Sequence, residues 1–194
     1  MVSRGKIYKV NEIFYSLQGE GFHTGRAAVF VRFAGCNLRC PFCDTDFSQS
    51  EPMTAEQIAD RVFAFSTHPE TLIVLTGGEP SLQVEEALID KLHAHHQTIA
   101  IETNGTQPIP ENIDWITVSP KVGSTIMLNH ANEVKVVFTP DNELMLNQWR
   151  TTITAAHYYL QPMSCSNTEA VVAYVLRHPE WRLSLQTHKY IDIK

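Results

Sequence analysis

Three cysteines fall within eight residues, in the run Cys36-Asn37-Leu38-Arg39-Cys40-Pro41-Phe42-Cys43, and the fourth cysteine comes only at Cys165. Thiolates grouped this way suit an iron-sulfur cluster, and a four-iron cluster usually takes four of them. If only three are supplied locally, one iron keeps an open position where a second molecule can bind and react. The spacing therefore points to catalysis rather than plain electron transfer. Two other readings stand beside it: a zinc knuckle completed by Cys165 or a histidine, and a disulfide pair with a spare thiol. Zinc sites usually bring their thiols as two separated pairs, and a reduced cytosolic chain rarely keeps disulfides.

Other residues have types and places that suit chemistry. In Leu75-Thr76-Gly77-Gly78-Glu79-Pro80 the two glycines let backbone approach a ligand closely, and Glu79 offers an acceptor for an ammonium group. In Ile101-Glu102-Thr103-Asn104-Gly105-Thr106, an acid follows apolar residues and would be costly to bury without a partner; the plainer reading is a capped loop with Glu102 in a salt bridge. Arg32 sits in Val29-Phe30-Val31-Arg32-Phe33-Ala34, on the face shared by Phe30 and Ala34. A guanidinium there needs an anion, either a substrate carboxylate that suits its bidentate fork or an internal Asp or Glu. Taken alone, Thr45 and Asp46 read as turn residues, His93, His95 and His96 as a solvated helix end, and Cys165 as a free thiol.

The elements that must hold these residues follow from periodicity. Strands are expected at Val29 to Ala34, Leu72 to Thr76, Thr98 to Glu102, Trp115 to Ser119, Val134 to Phe138 and Tyr158 to Gln161. Helices are expected at Thr54 to Phe65, Gln83 to His96, Asn142 to Trp149 and Asn167 to Arg177. In the first, Thr54 is the N-cap and Ile58, Val62 and Phe65 form the apolar face. Alternating β and α elements imply an α/β fold with a parallel sheet. Six strands in 194 residues fall short of the eight strands and roughly 250 residues of a complete (β/α)8 barrel. The expectation is an incomplete (β/α) barrel of about six parallel strands with fewer helices, in a single domain over residues 1–194. The cysteine loop and the Gly77-Gly78 turn then both close strands, at the end where parallel α/β folds carry active sites.

Charge and hydropathy narrow the partners. A net charge of −6 without a basic cluster argues against a phosphate backbone as partner, so no nucleic acid is expected. The opening Met1-Val2-Ser3-Arg4-Gly5-Lys6-Ile7-Tyr8-Lys9 leads into no apolar run of signal-peptide length, and no later window approaches the ~20 apolar residues of a membrane span. A cytoplasmic chain acting on a small molecule is expected.

The spacing C-x3-C-x2-C, with Pro41 and Phe42 between the last two cysteines, resembles the cluster loop of radical S-adenosylmethionine (SAM) enzymes, and Gly77-Gly78-Glu79 resembles their GGE motif. Further blocks resemble one family within that superfamily, the 7-carboxy-7-deazaguanine synthases. They are Tyr15-Ser16-Leu17-Gln18-Gly19-Glu20-Gly21, Cys43-Asp44-Thr45, Val118-Ser119-Pro120-Lys121, Leu160-Gln161-Pro162-Met163 and Leu185-Gln186-Thr187-His188-Lys189-Tyr190. They run from residue 15 to residue 190 in the family's order.

The resemblance implies a homodimer with a modified, incomplete radical SAM barrel. It implies conversion of 6-carboxy-5,6,7,8-tetrahydropterin to 7-carboxy-7-deazaguanine with loss of ammonia, on the route to queuosine and related deazapurines. Cys36, Cys40 and Cys43 would hold a [4Fe-4S] cluster whose open iron chelates SAM, the source of a 5′-deoxyadenosyl radical, with flavodoxin or ferredoxin as electron donor. Phe42, Asp44, Gly78, Glu79, Ser119, Pro120, Lys121, Gln161, Pro162, Met163 and Ser164 match SAM contacts. Leu17, Gln18, Gly19, Arg32, Thr76, Glu102 and His188 match pterin contacts, and Thr45 matches a ligand of Mg2+. Family members can also use a C-terminal carboxylate on the pterin; here the ending Ile191-Asp192-Ile193-Lys194 departs from the family's small or proline-containing tail, which weakens the role of Lys194. A glycyl-radical enzyme activase would share the three-cysteine loop but not need Arg32 or Gln186-Thr187-His188, and a binding module with a structural metal would not need the Gly77-Gly78-Glu79 turn.

Overall fold

Alternation along the strands decides which side chains meet the helices and which are left for a site. The computed structural model describes residues 5–194; residues 1–4, the first part of the opening segment in which no signal-peptide run is expected, lie outside the described residues. Strand β1 (Tyr8–Leu17) pairs antiparallel with β2 (Ala27–Phe33) and, on its other edge, with the short β3 (Glu51–Met53). From β2 the sheet continues through β4 (Leu72–Gly77), β5 (Ile99–Thr103), β6 (Trp115–Val118), β7 (His130–Phe138), β8 (Thr154–Pro162) and β9 (Arg182–Leu183), each parallel to its neighbour. The order β3-β1-β2-β4-β5-β6-β7-β8-β9 makes one open nine-stranded sheet, an incomplete barrel.

Helices cover one face. α1 (Ala55–Phe65) and α2 (Glu86–Leu92) bury Ile58, Val62, Leu88 and Ile89 against Val29, Val31, Phe33, Ile73, Leu75, Ile99 and Ile101. α3 (Leu146–Thr152) and α4 (Thr168–Arg177) place Leu146, Trp149, Val171 and Tyr174 on Val134, Val136 and Phe138. Each such aliphatic side chain contributes about 1.5–3 kcal/mol when fully buried. α1 starts on the expected Thr54 cap, reinforced by a reciprocal bond with Gln57 that is worth roughly 1 kcal/mol. By period two, Arg32, Thr76, Glu102 and Lys135 project from the opposite face.

The six expected strands all form in parallel, and their bounds shift by a few residues. β1 escapes the pattern because a bulge between Val10 and Glu12 interrupts its alternation. β3 carries Pro52 on the outer edge of the sheet, where a strand tolerates proline. The helix expected over Gln83 to His96 is shorter: a 3-10 turn at Pro80–Leu82 precedes α2 and another at His93–His95 follows it. Gln83 is held out of the helix because its amide bonds Lys9 N, at 2.7 Å, and Ala34 O, at 2.8 Å. Asn142 likewise falls in a 3-10 turn, Pro140–Met145, ahead of α3. Phe65, expected on the apolar face of α1, is 45% exposed because it lies in the last turn, past the sheet. A single-turn helix, α5 (Thr187–Tyr190), was not foreseen.

Candidate active site

The open face of the sheet and the loops at its strand ends enclose a cavity of about 900 Å3. Drug-sized ligands occupy cavities of about 300–1,000 Å3, and this one lies at the upper end of that range.

One wall is the cysteine loop. Gly35, at φ +86°, turns the chain out of β2, and Cys36, Cys40 and Cys43 all line the cavity as free thiols. Leu38 N donates to Cys36 Sγ at 3.4 Å, and Cys43 N to Cys40 O at 3.1 Å. Burial pushes the Cys36 and Cys40 thiols above their ordinary value, so metal binding would have to drive off their protons. Among the described residues no three of His, Cys, Asp and Glu converge on one metal ion. A four-iron cluster makes a different demand, since each thiolate meets its own iron and the ligands stand further apart. Three thiols on one cavity wall, with no fourth cysteine among the described residues that line it, fit that group with one iron left open. Cys165 lies outside the cavity lining.

Gly78 allows this wall to approach the end of β4. A Cβ there would lie 2.0 Å from Gly35 O and 3.1 Å from Cys36 Cβ. The adjacent backbone is pinned, with Gly78 N bonded to Phe33 O at 3.0 Å and Glu79 N to Gly35 O at 2.9 Å. Glu79 also lines the cavity. Its carboxylate is 1% exposed and accepts from Ser81 N, Ser81 Oγ, Thr103 Oγ1 and Asn104 N, at 2.6 to 3.0 Å. Oε1 takes three of these donors and Oε2 only Asn104 N, so the carboxylate braces the turn and, lining the cavity, keeps one oxygen with spare acceptor capacity. Asn104 extends the brace to the cysteine loop, giving Nδ2 to Asn37 Oδ1 at 3.0 Å.

Phe42, Asp44, Thr45, Ser119, Lys121, Gln161, Pro162, Met163 and Ser164 also line the cavity. Pro120, expected with them, is buried behind the lining. Burial brings Lys121 down to about 8, and its Nζ bonds Ser119 O at 2.7 Å and Oγ at 2.6 Å. Gln161 Oε1 accepts from Ser184 Oγ at 3.0 Å.

The far side gathers Leu17, Gln18, Gly19, Arg32, Thr76, Glu102, His188 and Lys194, all lining the same cavity. Arg32 has an internal anion: its Nε donates to Glu12 Oε1 at 2.9 Å, while its terminal nitrogens have no protein partner among the described residues. Lys194 Nζ pairs with the other Glu12 oxygen and lies over the Phe14 ring. Glu102 also has its salt bridge, with Lys135 Nζ at 2.9 Å, and a second donor in Gln18 Nε2 at 2.9 Å. His188 packs so closely on Gly19 that a Cβ there would lie 2.1 Å from its Nδ1.

Comparison with known proteins agrees with this geometry. Residues 30–138 match the radical SAM superfamily. A 7-carboxy-7-deazaguanine synthase from Bacteroides thetaiotaomicron is 52% identical over 186 residues, spanning 96% of this chain and 98% of the relative. One from Bradyrhizobium diazoefficiens is 44% identical over 210 residues, spanning 96% and 99%. The chain belongs to the 7-carboxy-7-deazaguanine synthase family. The crystal structure of QueE from Escherichia coli superposes with a TM-score of 0.79 at 29% identity, covering 94% of this chain and 95% of that one.

Among the cavity residues not foreseen from the sequence are Glu20, Lys135, Gln186 and Lys189. Lys135 bridges Glu20 at 2.5 Å and Glu102 at 2.9 Å, and Gln186 Nε2 bonds Glu20 at 2.9 Å. Burial alone would raise Glu20, but the Lys135 charge and the bonds from Lys135 and Gln186 outweigh it and hold the acid at about 2. The signal was available, since Lys135 interrupts Val134-Lys135-Val136-Val137 as Arg32 interrupts its own apolar run. Lys189 reaches Asp44 in the cysteine loop at 2.5 Å, a contact between distant segments that periodicity does not reveal.

Proposed function

We propose that this chain converts 6-carboxy-5,6,7,8-tetrahydropterin to 7-carboxy-7-deazaguanine with loss of ammonia, as a radical SAM enzyme. The observation that carries the reading is the two-sided cavity, with three thiols and the Gly78 turn on one wall and Arg32, Glu102 and His188 on the other. When bound, the reduced cluster and SAM supply the hydrogen-abstracting radical that the protein's own side chains cannot make. Cys36, Cys40 and Cys43 hold the cluster, and the loops from Ser119 and Gln161 with Phe42 and Asp44 bound the SAM end. Arg32 turns its free terminal nitrogens to the substrate carboxylate, and Gln18, Gly19, Thr76, Glu102, His188 and Lys194 frame the ring. α5 closes this end: Thr187 N and Oγ1 both bond Gly19 O at 2.9 Å, and Lys189 ties it to Asp44. A substrate held behind that segment is kept from water and oriented for reaction.

Thr45, with substrate oxygens and waters, ligates Mg2+ in this reading, since magnesium takes few protein ligands. One domain, a homodimeric assembly, a cytoplasmic setting and flavodoxin or ferredoxin as donor belong to the same proposal; the continuous sheet supports the first. The test is anaerobic reconstitution followed by mass-spectrometric detection of 7-carboxy-7-deazaguanine from the carboxytetrahydropterin, with SAM and reductant. Product is expected, and omitting Mg2+ after chelation is expected to slow turnover without bleaching the cluster. No product from an intact, reduced, SAM-binding protein would overturn the assignment. Modification of a glycyl-radical protein in its place would favour an activase.

A further inference from the structure

Lys135 stands on the cavity face of β7 with a side chain only 5% exposed. A bare ammonium is expensive to bury. Two carboxylates from other segments answer it, Glu20 after β1 and Glu102 on β5. An ammonium has three donors. Two are taken, and among the described residues the third has no protein acceptor. Glu102 is also half-used: Oε1 accepts from Gln18 and Oε2 from Lys135, while a carboxylate has about four lone-pair positions. The cavity therefore presents, side by side and locked by the same salt bridge, an acceptor with spare capacity and a cation with a spare donor.

That pairing complements a definite chemical edge. The pyrimidinone ring of a pterin offers N–H donors at its 2-amino group and N3, then an acceptor at its 4-oxo oxygen. A 2,4-diaminopteridine carries an amino group where the pterin carries that oxygen and has no hydrogen on N3, so it sets a donor against the ammonium and withdraws one of the N–H groups offered to Glu102. We propose that Lys135 is a specificity-determining residue: its third N–H is given to the 4-oxo oxygen while Glu102 accepts from the neighbouring N–H groups. The inference rests on the pterin reading and adds the edge by which the ring is recognised. Sites built to hydrogen-bond a substrate group reject analogues that leave the site's polar atoms unpaired.

The test compares binding of pterin-6-carboxylate and 2,4-diaminopteridine-6-carboxylate to the reconstituted holoenzyme with SAM, by calorimetry. The wild type is expected to prefer the 4-oxo compound by about tenfold or more, the scale of one charged hydrogen bond. Lys135→Met is expected to shrink that preference by weakening the 4-oxo compound, with SAM affinity unchanged, leaving the part that Glu102 reads at N3. Because this substitution leaves Glu20 and Glu102 facing each other, Lys135→Met/Glu20→Gln serves if the single variant does not fold. Equal binding of both pteridines by the wild type, which needs no variant, would overturn the assignment. So would a folded variant that keeps the preference undiminished, or one that loses both pteridines equally. Failure of the wild type to turn over carboxytetrahydropterin would sink the functional reading itself; turnover without a 4-oxo preference would sink only the role of Lys135.

Discussion

Arg32 answers to two anions, and the balance between them sets what its loss should do. Its Nε bond to Glu12 joins side chains 21% and 28% exposed, so solvent screens the pair. Burial would raise Glu12, but hydrogen bonds from Lys194 and Arg32 outweigh it and hold the acid below its ordinary range. With the terminal nitrogens free for substrate, Arg32→Ala should weaken pterin-6-carboxylate binding by about tenfold to a hundredfold. An analogue lacking the carboxylate should bind both proteins alike in calorimetry; an equal loss for the two ligands would leave Arg32 with Glu12 alone. The thiols divide in the same way. Cys36→Ala, Cys40→Ala and Cys43→Ala should each abolish the four-iron absorption band after reconstitution, and Cys165→Ala, outside the cavity, should keep it. Loss of iron from the Cys165 variant would contradict the three-thiolate site.

At the scale of elements, the ends of β1 and β4 carry close approaches that only glycine permits. Gly78→Ala would drive a methyl group to 2.0 Å from Gly35 O, and the cysteine loop would have to move. Overpacking of this kind costs typically about 1–3 kcal/mol, so the variant should fold with a lower melting temperature and incorporate little iron. Gly19→Ala acts on the other wall, pushing against the His188 ring of α5. It should leave iron content unchanged and reduce pterin affinity; normal pterin affinity would mean that α5 does not hold the substrate.

For the whole molecule, two groups on the open face, the buried Glu133 and the half-buried His23, oppose each other in their effect on stability with pH. Burial lifts Glu133 from 4.5 to about 7, against the pull of Lys135 and the Phe22 N–H. Between those values the folded chain holds a proton that the unfolded chain has lost, so this term reduces stability as pH rises. Burial, with Arg26 and His157 adding repulsion, brings His23 down from 6.5 to about 4. Here the unfolded chain holds the extra proton, and stability rises with pH from about 4 to 6.5. The two windows overlap with opposite sign, so the Glu133 term offsets part of the rise in the wild type. Glu133→Gln retains an oxygen for Phe22 N and removes the falling term. Urea midpoints of that variant should climb with pH from 4 to 6.5, and a profile parallel to the wild type would contradict the buried-acid account.

Local signals were sufficient for the cluster loop, the Gly77-Gly78 turn, the six parallel strands and the Thr54 cap, because spacing, alternation and capping act over a few residues. The side of the sheet on which Arg32 and Glu102 stand was legible for the same reason. Their partners were not. Glu12 reaches Arg32 only because β1 folds back antiparallel through a bulge, and Lys135 reaches Glu102 only because β5, β6 and β7 lie in parallel register. Glu79 offered its acceptor chemistry on paper, but only the fold brings Thr103 and Asn104 to brace it. Residue type and spacing determined which chemistry this chain can hold; tertiary structure decided which of its charged groups remain free to perform it, because pairing depends on distances across the sheet that no local pattern encodes.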